Sequence, residues 1–139
     1  MSRETFRVSL RTGCALSEED LRYIENALDS LEPAGNLRAR ENPRGGFFKI
    51  DMGSSSRLEP LLEMVVRLGD GFARRLARSS RESAGRTVIS IVQLIDEPDD
   101  SMQKGIVISP ELVNWAAVAG ASFDIDQYVY TDEADRGGV

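Results

Sequence analysis

Residues 87–95 read TVISIVQLI, nine positions of which Val, Ile and Leu fill six and none carries a charge. A run this apolar and β-branched fits an interior strand covered on much of both faces. It is therefore placed at the centre of a sheet, and the rest of the chain is read outward from it. Downstream, the acidic turn EPDDSMQKG at 97–105 leads to Ile106–Ile108, a short strand expected to return beside 87–95 as an antiparallel hairpin. Ser109-Pro110-Glu111 then begins a helix: Ser accepts a backbone N–H at the cap, Pro fits the first turn, and Glu offsets the macrodipole. That helix is expected to run to about Ala119, to bury Leu112, Val113 and Ala116, and to close at Gly120. Phe123, Ile125 and Val129 alternate with Asp124, Asp126, Tyr128 and Tyr130 in a last strand.

Upstream, TFRVSLR at 5–11 sets Phe6, Val8 and Leu10 against Arg7, Ser9 and Arg11, the alternation of a half-buried first strand. Ser17-Glu18-Glu19-Asp20 opens a helix that carries Leu21, Ile24, Leu28 and Leu31 on one side until Pro33. Residues 33–46, PAGNLRARENPRGG, have little hydrophobic pattern and read as a long loop, in which Arg38, Arg40 and Arg44 are candidates for holding a carboxylate or phosphate. Phe48, Ile50 and Met52 alternate in the second strand. From Leu58, apolar residues at 61, 62, 65, 68, 72 and 76 trace one helical face, and Gly69-Asp70-Gly71 predicts a kink or two successive helices, since two glycines cost about 2 kcal/mol of helix propensity. Arg74, Arg75, Arg78 and Arg81 lie off that face and read either as a solvated helical surface or as a phosphate contact.

The resulting order, β-α-β-α-β-β-α-β, predicts an α+β fold: a mostly antiparallel sheet of about five strands with three helices packed on it. Residues 1–131 are expected to form a single domain and 132–139 a flexible acidic tail. A chain of 139 residues is long enough to bury roughly two-thirds of its extended surface. No apolar run approaches the ~18 residues of a membrane span, and with the polar opening MSRETFRVSLR neither a signal peptide nor a transmembrane helix is expected.

Composition closes several function classes. The chain has no His and one Cys. Ser-His-Asp and Cys-His catalysis, histidine zinc sites, axial-imidazole haem and internal disulfides all lack a required residue. A cytoplasmic, non-enzymatic protein without cofactor or metal is the expectation. Charge is uneven along the chain: residues 1–86 hold 15 basic and 13 acidic side chains, and residues 87–139 hold 2 and 10, so balances of +2 and -8 make up the net -6. Nucleic acid is not expected as a partner of that acidic second part, nor is a membrane surface.

Residues 105–130, GIVISPELVNWAAVAGASFDIDQYVY, resemble the end of the bacterial domain-of-unknown-function family forty-two seventy-nine. The resemblance rests on the helix start Ser109, Pro110, Glu111, Leu112, the turn Gly120-Ala121, and the strand Asp124, Ile125, Asp126, Tyr128. Element order extends it over residues 4–131. Members often carry a Trp near the second strand, where this chain has Phe47 and Phe48. The resemblance implies a fold and a bacterial or phage setting and no activity.

Asp124 and Asp126, two apart on a strand, project from one face at about 6–7 Å from each other. A pair so spaced suits Ca²⁺ or Mg²⁺, acid–base chemistry, or bonding to Arg or backbone N–H; no D-x-D-x-D-G loop accompanies it. The favoured expectation is a partner-binding face of Asp96, Asp99, Asp100, Asp124, Asp126, Tyr128 and Tyr130 on an immunity or antitoxin-type protein, which neutralises a toxin encoded next to it by electrostatic complementarity. The alternative is a sensing domain for an anionic metabolite at Arg38, Arg40 and Arg44, and a homo-oligomeric accessory protein is a third reading.

Overall fold

The computed structural model describes residues 5–14, 16–29, 31, 39–42, 47–83, 85–96 and 105–129. Nine elements follow in order: β1 (Phe6–Thr12), α1 (Glu18–Asp29), β2 (Ala39–Asn42), β3 (Phe47–Ser55), α2 (Glu59–Arg67), α3 (Gly69–Ser83), β4 (Thr87–Ile95), α4 (Pro110–Ala119) and β5 (Ala121–Val129). The sheet order is β2-β3-β1-β4-β5. The fold is α+β as the pattern predicts, but the sheet is mixed. Pairings β2–β3, β3–β1 and β1–β4 are antiparallel, and β4–β5 is parallel.

The parallel pair overturns the expected hairpin. Ile106–Ile108 is not a strand, because both edges of β4 are already occupied along most of its length, Thr87–Gln93 matching Phe6–Thr12 on one side and Thr87–Ile95 matching Ala121–Val129 on the other. A parallel return needs a crossover, and α4 supplies its helical part. Four strands of seven to nine residues make up most of the sheet. The four-residue β2 comes from the stretch read as a loop at 33–46. Three expected helices become four, since Gly69 takes a φ of 89°, a left-handed backbone that ends α2 and lets α3 start in a new direction.

Alternation along the strands sends Val8, Leu10, Ile50, Met52, Ile89 and Ile91 into a core closed by the helices. The strand read as the sheet's centre is interior but not central, since β1 holds the middle place, and the same alternation leaves Val88, Val92 and Leu94 half-buried on the other face, so β4 is covered on only one side by described residues. α4 behaves at its ends as read: the Ser109 hydroxyl accepts the Leu112 N–H at 3.2 Å, and Gly120 caps the helix at φ 68°. Its buried face differs from the expectation. Val113 is 52% exposed, whereas Trp115 and Ala119 join Leu112 and Ala116 inside. Trp115 stacks obliquely near Phe72, ring centroids 6.4 Å apart, and its indole Nε1 donates to the Gly69 carbonyl at 3.0 Å. That bond fixes the indole of α4 against the first residue of α3.

α1 is fastened to α3 by a buried charge. The Asp20 side chain is 5% exposed, and its Oδ1 accepts from Arg75 Nη1 at 2.8 Å and from Arg78 Nη2 at 2.9 Å. Burial pushes the Asp20 carboxyl up, but the hydrogen bonds with Arg75 and Ser17 and the charges of Arg78 and Arg75 outweigh it, so the group ionises below the usual carboxylate range. A depressed pKa contributes stability that is complete above the unfolded value of about 3.9 and is lost as pH falls through the folded value.

Two stability measurements follow from this packing. In urea denaturation, Trp115→Phe should cost about 1–3 kcal/mol, because it removes the hydrogen bond to the Gly69 carbonyl as well as part of the volume of a buried indole. Asp20→Asn should destabilise by a similar amount, about 1.5–3 kcal/mol, at neutral pH. The gap between Asp20→Asn and wild type should stay level from about pH 8 to 5 and shrink below about pH 4.

Candidate functional site

The helices cover one face of the sheet, so the side chains available to a partner stand on the other face and along the outer edges. On β5 the strand period of two sends Asp124, Asp126 and Tyr128 to the open face and Phe123, Ile125, Gln127 and Val129 to the helix-covered side. The register fixes this assignment, for Ile125 is level with the core residue Ile91, and Gln127 Nε2 donates to the buried Gln93 Oε1 at 2.8 Å. Both carboxylates expected to share a face therefore do so.

Cover fails toward the end of the strand. α4 packs over the start of β5, while Ile125, Tyr128 and Val129 are 43%, 55% and 52% exposed. These are three of the five large exposed hydrophobic residues among those described, and they fall within five positions. Such concentration on one strand end marks a contact surface more than scattered exposed apolar residues would. β5 is also an outer strand: none of the described strands pairs with its far edge, so its backbone N–H and C=O groups there face outward.

The open face is zoned by charge. Arg7 and Arg11 on β1 and Lys49 on β3 form a mainly basic side, in which Asp51 of β3 is the one acid among the described residues and accepts the Gly53 N–H, and Asp124 and Asp126 on β5 form an acidic side, with Val88, Val92 and Leu94 of β4 between them. Arg11 reaches over β4 to Asp124, Nη2 to Oδ2 3.5 Å, with 37% and 48% of the two side chains exposed. This bond gives Asp124 a structural partner, whereas Asp126 makes no ion pair among the described residues. Asp96 directly follows β4, whose last residue Ile95 is level with Val129, so it stands by the exposed end of β5 and is half-buried there.

Of the other expected site residues, Asp99, Asp100, Tyr130, Arg38 and Arg44 lie outside the described residues. Arg40 falls on β2 opposite Lys49. Among the described residues no cluster of carboxylate or thiol groups is arranged to hold a metal ion, and Asp124 and Asp126 gather no third ligand. Cys14 is fully buried, its Sγ 4.0 Å from the Thr87 hydroxyl. No helix among the described residues is long and apolar enough to cross a membrane.

Sequence reading named the carboxylates and Tyr128 but missed Ile125 and Val129 as exposed contacts. Strand alternation marks them as inward-facing; only the short reach of α4 leaves them uncovered. Comparison of the chain with protein-family models, with curated proteins and with solved structures finds no match.

Arg11→Gln should cost only about 0.2–1 kcal/mol, as befits an exposed pair. The loss should largely vanish in 1 M NaCl, where the screening length is about 3 Å. Chemical denaturation by urea at the two salt concentrations checks both statements.

Proposed function

We propose that this chain is a non-enzymatic protein-binding module that receives an extended, basic segment of a partner protein along β5. In its most concrete form it is a bacterial immunity or antitoxin-type protein that neutralises a toxin encoded beside it. The observation that carries the reading is β5 itself: a nine-residue outer strand with one edge that none of the described strands pairs, three exposed hydrophobic side chains and two carboxylates two positions apart. Main-chain bonds along such an edge supply affinity, and alternate side chains supply selectivity.

Charge favours a different chain over a second copy. Antiparallel self-pairing about Ile125 would set Asp124 of one chain opposite Asp126 of the other twice, and like charges directly opposite are destabilising. A strand with Lys or Arg at alternate positions meets the same carboxylates favourably. Charge complementarity of this kind acts mainly on association rate and selectivity, so an acidic strand suits a protein that must find a basic target quickly. The bacterial setting implied by the resemblance at 105–130 agrees with an immunity role and belongs to the same proposal.

The test is co-expression with the products of neighbouring reading frames, followed by affinity capture and a growth-rescue assay. A captured product should be lost by about tenfold or more in affinity with Asp126→Lys, at unchanged circular dichroism, and association should slow as salt is raised. Capture and rescue undiminished by Asp126→Lys would remove β5 from the account. Neither capture nor rescue with any neighbouring product would remove the immunity role.

A further inference from the structure

Away from the sheet, a cavity of about 440 Å³ opens between α1 and α3, walled by Tyr23, Gly71, Arg74, Arg75, Arg78 and Arg81. We propose that this open concavity is a binding site for a small phosphomonoester, whose dianionic phosphate the guanidinium groups along one wall contact.

The stripe follows from helical spacing, since positions 71, 74, 75, 78 and 81 recur every three or four residues on one side of α3. Like charges at that spacing repel, by about 0.2–0.5 kcal/mol for each pair. A solvated surface gains nothing from gathering four of them in a concavity. Two are also held in place. Asp20 accepts one N–H from Arg75 and one from Arg78, and the Arg75 guanidinium lies 4.1 Å from the centre of the Tyr23 ring. Each of these guanidinium groups still has unspent N–H donors.

The other two are open. Arg74 and Arg81 make no hydrogen bond or ion pair among the described residues, and both are exposed at the cavity. Tyr23 contributes a further donor: its hydroxyl rests against the backbone at Gly71, where a Cβ would collide with it, and it makes no hydrogen bond among the described residues. Asp20 and Glu19 are the carboxylates paired with the stripe, Glu19 3.8 Å from Arg75, while Asp70 and Glu82 stand four residues from Arg74 and Arg78 on α3 without an ion pair to them among the described residues. Arg74 and Arg81 thus present two guanidinium groups with no carboxylate partner among the described residues, and a phosphomonoester brings about -1.5 to -2 of opposite charge at neutral pH. Planar guanidinium groups match its oxygens in pairs, and the cavity volume leaves room for the organic group it bears.

Isothermal titration of the full chain with inorganic phosphate, phenyl phosphate and phenyl sulfate at one ionic strength tests the site. Phosphate and phenyl phosphate should bind, phenyl phosphate at least as tightly as phosphate, and the monoanionic sulfate ester more weakly. The variant Arg74→Gln/Arg81→Gln, which leaves the Asp20 contacts intact, should keep its melting temperature in chloride and lose phosphate affinity by about tenfold or more. The proposal is overturned by absence of phosphate binding, by equal binding of the sulfate ester, or by undiminished binding in the variant. It is equally overturned if a single-stranded oligonucleotide binds and the monoesters do not, since the stripe would then be a polyanion track. Phosphate binding is read without any protein partner, so its outcome is independent of the role assigned to β5.

Discussion

Everything in this fold is arranged around the two-sided hydrogen bonding of β4. With β1 on one edge and β5 on the other, seven of its nine positions, Thr87–Gln93, are paired on both sides, and the Leu94 N–H beyond them donates to the Thr5 carbonyl at 2.7 Å. That constraint forbids a hairpin partner for β4 and forces the chain through α4 before it can return. The return is parallel, which makes β5 the outer strand and the carrier of the exposed carboxylates. The position of the candidate interface is thus a consequence of how β4 satisfies its hydrogen bonds.

A second constraint is the break at Gly69. Because α2 and α3 point in different directions, α3 can meet α1 through Asp20 and α4 through its apolar side at once. The indole of Trp115, bonded to the Gly69 carbonyl, ties the break to α4. The arginine cavity depends on the same arrangement, since its wall is α3 and its side is Tyr23 of α1. In this molecule a glycine with positive φ and a buried carboxylate together decide which cations become neighbours.

The features legible in the sequence are those encoded within a few residues. Ser17 and Ser109 mark helix starts, Gly120 a helix end, Gly69 a break, and the alternation from Phe6 to Leu10 a strand; each reflects local backbone chemistry. The direction of β5 was not legible, because parallel and antiparallel partners of β4 need the same apolar alternation, and the choice turns on which edge is vacant. β2 was missed for a related reason: its four residues, AREN, have no alternation of their own and are strand only by pairing with β3. At the candidate sites, one-strand spacing gave the shared face of Asp124 and Asp126. The bond from Arg11 to Asp124 spans 113 positions and the one from Arg78 to Asp20 spans 58, distances over which spacing carries no information.

The sheet order bears on how the chain assembles. β1 is synthesised first, yet it lies in the interior of the sheet, and the strands that flank it arrive later: β3 after an intervening helix, then β4, whose Thr87 meets Thr12 across 75 positions. Growth is therefore outward from the first of these strands, and the ladder between β1 and β4 closes the longest loop, from Thr12 to Thr87. Until residue 95 has left the ribosome, Val8 and Leu10 belong to a strand with an open edge, the condition in which nascent chains are most prone to pair wrongly. The arginines at positions 7 and 11 alternate with those apolar residues along the same strand. They give the waiting segment a charge that discourages another copy of itself from docking there.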